Sequence, residues 1–448
     1  MSDTKQSKNL ARTMRTPSVT ALGVGAMIGA GIFVLTGMAA GKAGPALILA
    51  FALNGVIALI VGACYAELAT MMPEAGGAYV WAKPGLGPFF GFFAGWMSAF
   101  AQLIACSLYA AAFGSFTRQL VIELTAHRPP AFFATAMSVG VLALLLWINY
   151  RGSEHTGKLE VWITGLKVAI LLIVVALGLS VLFQSNDRLS AFRPFFSQGL
   201  GGLMSAMGIT FVAFEGYEII VQSGEEVKKP GSTIPRAIFL SILVAMSLYI
   251  LVAVVLLGAV TPPHGKTVAA YLGGLQELGL MEAAGQFVPR GKIILLIAGL
   301  ASTASALNAT IYGSSRIAYA MGRAGDLPSA LARVHRTRKT PHLAIAAVGS
   351  LMVAMTLALP IEDIAASTNI MFLLVFLMVC TTVVRLRKHW PDRERPFRVP
   401  LSPWLPGVGI TAGIVLSLWL VQVSRVAWAV AVVWIVLGGA VFYLKDRR

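Results

Sequence analysis

"GVGAMIGAGIFVLTG", residues 23–37, lies inside the first long apolar stretch of the chain and carries five glycines. A glycine inside a helix weakens it by roughly 0.5–1 kcal/mol relative to alanine. Two physical reasons justify such a stretch at membrane depth. Small residues let two helices approach closely, or the helix breaks there, which lipid tolerates only where protein or a watery cavity surrounds the freed N–H and C=O groups. From these fifteen residues alone both readings stand.

The surrounding chain shows that the depth is a membrane's. Of its 448 residues 57% are hydrophobic and only 12% charged, which excludes an ordinary soluble domain. A span needs about 20 apolar residues, and twelve stretches qualify, near 18–41, 45–71, 86–117, 130–149, 157–183, 199–224, 233–259, 290–322, 341–358, 362–385, 403–423 and 425–444. The basic segment before Thr16 leads into the first span with no small-residue cleavage site, so no removable signal peptide is expected. With the N-terminus in the cytoplasm, most Lys and Arg fall on that side, including the runs "RVHRTRK" (333–339) and "RLRKHWPDRERPFR" (385–398). The positive-inside rule then puts both termini in the cytoplasm of a multi-pass inner-membrane protein. The formal charge of +16 is this topological signal, meeting anionic lipid rather than nucleic acid.

A second interruption decides between the two readings of the glycines. In span 6, "FVAFEGYEII" (211–220) sets Gly216 between two carboxylates, Glu215 and Glu218, near the middle of an apolar run. Two interrupted spans, five apart in order, point to an inverted-repeat transporter with its site between half-helices. The expected fold is all-α, with spans 1–5 (18–183) and 6–10 (199–385) as the two repeats. Residues 1–17 form a cytoplasmic tail, and 386–448 hold spans 11 and 12 with a short C-terminus.

Other chemistry is excluded motif by motif. Cys64, Cys106 and Cys380 lie within spans without metal-ligand spacing, and the six histidines lie in loops or at span ends. "HGKT" (264–267) lacks the leading glycine of a phosphate loop, because residue 260 is Val. Gly23-x-Gly25 and Gly29-x-Gly31 do not complete GxGxxG, and neither GxSxG nor HExxH occurs. No catalytic residue, metal or cofactor is expected. A membrane-embedded enzyme is therefore the weaker class.

Few polar groups remain inside the spans. Lys167 stands midway along "LEVWITGLKVAILLIVVALGL", where insertion costs about 2.5–3.5 kcal/mol for a charge; it needs an internal partner or a neutral amine. Span 8 carries "STASALNAT" (302–310), in which Ser302, Ser305 and Asn308 share one helical face. Glu225 and Glu226 precede "VKKPG" at a span end and read as a gate or a loop-ordering pair.

"GVGAMIGAGIF" in span 1, "EAGGAYVW" (74–81) after span 2 and "AFEGYEIIVQSGEEVKKPGSTIPRAI" (213–238), three motifs in order, strongly resemble the amino acid–polyamine–organocation superfamily, in its prokaryotic proton-coupled branch related to the cationic amino acid carriers. The resemblance implies a leucine-transporter-like fold and a carrier that imports amino acids with protons by alternating access. An exchanger of amino acids or amines is its close variant, and a potassium carrier of the same superfamily a weaker one. It implies that N–H groups of Gly29, Ala30 and Gly31 bind the substrate carboxylate at a half-helix N-terminus. Carbonyls near Met27, Ile28, Val212, Ala213 and Phe214 would take its ammonium, with Ser302 and Ser305 lining the pathway. Phe33, Phe211 and Phe214 are implied as gates, although packing is the ordinary duty of such rings. Lys167 corresponds to a lysine that replaces the sodium ion of other members and couples to protons. Glu218 matches a frequent acidic position, whereas Glu215 departs from an apolar one. Whether Glu215 serves substrate or protons, which amino acid is carried, and the oligomeric state are left open by the sequence.

Overall fold

The computed structural model describes residues 12, 14–74, 76–152 and 156–446. The chain runs as α1 (Thr16–Met27), α2 (Ala30–Ala43), α3 (Leu47–Met71), α4 (Ala78–Leu86), α5 (Pro88–Thr125), α6 (Phe132–Arg151), α7 (Thr156–Leu182), α8 (Gly199–Thr210) and α9 (Tyr217–Gln222). It continues as α10 (Pro230–Gly258), α11 (Val268–Gly274), α12 (Gly279–Phe287), α13 (Gly291–Arg323), α14 (His342–Ala358), α15 (Ile361–His389), α16 (Trp404–Val423) and α17 (Arg425–Asp446). Helices satisfy their backbone within each segment, which is what a lipid environment demands.

Among the described residues, ten stretches are long and apolar enough to cross a membrane, so this is a multi-pass membrane protein. The difference from the twelve expected spans has two sources. α2 and α3 are joined through the apolar 3-10 turn Gly44–Ala46 into one stretch, Ala30–Met71, and α14 has only 17 residues. Burial follows the membrane pattern. Trp162, Phe132, Leu172, Val433 and Trp404 are exposed, while Asn54, Glu67, Ser107, Lys167 and Asn369 are buried. An apolar groove lined by Leu53, Ile57, Leu203, Met207 and Trp404 lies between α3, α8 and α16, away from the interior polar groups.

Both expected breaks are present. α1 stops at Met27, Ile28 (φ −77°, ψ 54°) and Gly29 (φ −92°, ψ −144°) leave helical geometry, and α2 starts at Ala30. α8 passes into a 3-10 turn, Phe211–Phe214; Glu215 is extended, and Gly216 has φ 149° before α9 begins. That φ favours glycine. The two breaks touch: a Cβ on Gly216 would lie 2.7 Å from the Met27 amide nitrogen, and one on Gly31 would lie 2.6 Å from Ala213 Cα.

The glycines of the opening stretch thus divide. Gly29 stands in the break, whereas Gly23, Gly31 and Gly37 let neighbouring segments approach, Gly31 against Ala213 and Gly37 against Gly279. Both physical readings of the stretch hold, at different residues. Because backbone rather than a flexible side-chain tip faces Gly31, Gly31→Ala is expected to destabilise the protein by about 1–3 kcal/mol. A melting temperature in detergent equal to the parent's would refute this.

At one end of the bundle, Met14 forms a parallel bridge with Val227: the Met14 N–H donates to Glu226 O (3.0 Å) and the Lys228 N–H to Met14 O (2.8 Å). The Glu225–Glu226 segment therefore anchors the start of α1 through its backbone.

Candidate functional site

The site is built where α1 ends. An α-helix leaves its last carbonyls without intrahelical partners, with partial negative charge gathered there. Lys167 of α7, 1% exposed, donates from Nζ to Gly25 O at 2.7 Å. Ser302 of α13 donates to Ile28 O at 2.8 Å. The end of α1 is thus held from two sides by an amine and a hydroxyl.

Tyr249 of α10 bridges the breaks. Its hydroxyl lies 2.6 Å from Met27 O and 2.8 Å from Ala213 O. One phenolic proton serves one carbonyl at a time, which leaves acceptor capacity between the two breaks. Opposite, the N-terminus of α2 at Gly29 has no side-chain cap, so its first N–H groups are donors at the positive end of a helix dipole. Donors at Ala30 and Gly31 and acceptors at Met27 and Ala213 are thus gathered at the two breaks.

Below the breaks a cavity of about 40 Å³ is lined by Ala26 of α1, Gln102 and Tyr109 of α5, Glu215 and Glu218 around α9, and Thr310 of α13. At roughly 10–15 Å³ per water it has room for about three. Glu218 accepts from the Tyr65 hydroxyl at 2.6 Å, and Gln102 lines the same cavity. Both Glu215 carboxylate oxygens and Gln102 Oε1 are buried without a hydrogen-bond partner.

The remaining sequence candidates distribute unevenly. Phe33, Phe211 and Phe214 are all buried; the Phe214 ring packs edge-on against Tyr249 at 5.2 Å, and Phe211 against Phe376 at 5.9 Å. Val212 O accepts the Glu215 N–H, so of the span 6 carbonyls Ala213 O is the one turned to Tyr249. Ser305 is buried, but Asn308 is directed to α6, where its Oδ1 accepts from Asn149 at 2.8 Å. The cavity face of α13 is instead Ala306, Ala309, Thr310 and Gly313. Sequence reasoning passed over Gln102, Tyr249 and Tyr65; a glutamine inside the apolar run "AFAQLIACSLY" was a usable signal for the first.

The amino acid permease family model matches residues 15–441. The chain belongs to the amino acid permease family. Relatives of this permease cover nearly its whole length. It is 28% identical to the branched-chain amino acid permease BcaP of Bacillus subtilis, over 99% of this chain and 95% of that one. It is 31% identical to the methylthioribose transporter of the same organism (100% and 96%), and 30% identical to the inner membrane transport protein YbaT of Escherichia coli (94% and 92%). The permease is accordingly a transporter of the amino acid–polyamine–organocation superfamily and not an enzyme.

Proposed function

We propose that this permease moves amino acids across the cytoplasmic membrane by alternating access, as a proton symporter with twelve spans and both termini in the cytoplasm. In this reading residues 18–183 and 199–385 are the two inverted repeats. The segments 1–17 and 386–448 lie outside them. The substrate carboxylate meets N–H groups of Gly29, Ala30 and Gly31, and its ammonium takes the place of the Tyr249 proton at Met27 O or Ala213 O. Ile28 O with Ser302 and Ser305 completes the wall, Val212 and Phe214 flank it, and Phe33, Phe211 and Phe214 close over it.

The observation that carries the reading is the Lys167 Nζ donating to Gly25 O, near the end of a helix that stops at the first break. A proton on Lys167 ties α7 to α1. Its loss removes the charge-assisted bond, so α1 can move relative to α7, and reprotonation from the other side resets the carrier. In this reading Glu218, which accepts from Tyr65 beside the cavity, is the second group assigned to proton coupling.

The test is uptake into proteoliposomes. An inward proton gradient should drive accumulation of an amino acid above its external concentration, and a protonophore should abolish it. Accumulation indifferent to the protonophore would make the permease an exchanger; no flux of any amino acid would refute the substrate class.

A further inference from the structure

We propose that the cavity beside the α9 break is an ammonium subsite, so that the preferred substrates are amino acids carrying a second, side-chain ammonium. The inference rests on the amino acid transport reading and names the substrate class of that same site. Glu215 is the first residue after the 3-10 turn, extended at φ −79° and ψ 136°, which turns its side chain off the helix and into the cavity. It is 6% exposed, and among the described residues neither carboxylate oxygen has a hydrogen-bond partner. A buried carboxylate in that state is costly unless a proton or a cation meets it. Among the described residues no Lys, Arg or His lines the cavity.

The arrangement of acceptors is specific. Glu218 is already served by the Tyr65 hydroxyl. Gln102 Oε1, also on the cavity wall, is a further buried acceptor without a hydrogen-bond partner among the described residues. A primary ammonium has three donors and no acceptor. It can meet the unpaired Glu215 oxygens, and its head group occupies about the space of one of the waters the cavity can hold. Gly216 packs on Met27, so the subsite adjoins the place where the zwitterion end would sit.

Purified permease in detergent is titrated calorimetrically with lysine and with norleucine, which is lysine without its ε-amine, and the series is repeated with Glu215→Gln. The expected result is lysine binding at least about ten-fold tighter than norleucine in the parent, the scale of one hydrogen bond to a charged group. In Glu215→Gln the two ligands should bind alike. Norleucine equal to or tighter than lysine in the parent overturns the subsite and leaves amino acid transport intact; this arm does not depend on the variant folding. A lysine preference that survives in folded Glu215→Gln overturns the assignment to Glu215. Failure of every amino acid to bind the parent overturns both the subsite and the transport reading.

Discussion

Lys167→Met is expected to abolish concentrative uptake driven by a proton gradient while leaving the permease folded and able to exchange substrate across the membrane. Methionine keeps an unbranched chain of similar reach and removes the ammonium. Gly25 O then loses its donor, which costs about 1–3 kcal/mol for a buried acceptor left unsatisfied. That is small against a multi-span core. The larger consequence is for coupling, because the tie between α7 and α1 would no longer depend on a proton. Substrate counterflow in proteoliposomes, which needs binding and alternation but no driving ion, should persist within a few-fold. Accumulation under an imposed proton gradient should fall to the level of empty vesicles. If the variant still concentrates substrate and a protonophore still stops it, Lys167 is a structural strut and Glu218 becomes the coupling group to test.

What the sequence made legible follows from how each feature is encoded. The breaks at Ile28–Gly29 and at Glu215–Gly216 were visible because glycine clusters and carboxylates are rare inside apolar runs. A buried Lys167 was visible for the same reason. Its partner was not, because Gly25 O is a backbone atom and every residue has one. The role of Gly31 was hidden because it depends on Ala213, a residue remote in sequence. Tyr249 and Tyr65 carried no signal, since a tyrosine in an apolar span is ordinary until its hydroxyl is seen between two broken helices or on a carboxylate. Asn308 misled for the opposite reason. Its helical register agrees with Ser302 and Ser305, yet α6 offers Asn149 as a nearer partner.

Glu67 gives the largest expected effect on stability. It sits near the end of α3, 1% exposed, close enough to the end of the expected span 45–71 to read as an ordinary end charge. Arg387 at the end of α15 grips both its oxygens, through Nε at 2.9 Å and through one terminal nitrogen at 2.5 Å. The Val399 N–H donates to it at 2.7 Å, and Arg395, itself 8% exposed, approaches at 3.3 Å. These arginines belong to the run 385–398, which the sequence shows only as topological charge. In the folded protein the run wraps back on α3. Arg395 adds donation to Leu386 O and Trp390 O, so the segment after α15 is fastened at both ends. Removing one partner from such a group leaves guanidinium charge buried without compensation, which typically costs about 3–5 kcal/mol. Glu67→Ala is therefore expected to lower the melting temperature in detergent by several degrees and to reduce the yield of monodisperse protein. Arg387→Ala should do less, because Arg395 and the Val399 N–H still meet the carboxylate. The double variant should be milder than the sum of the two singles, since the second substitution removes charge that the first stranded. A Glu67→Ala protein that melts with the parent would mean that this carboxylate contributes no net stability and that apolar packing of α3 against α15 alone holds the segment.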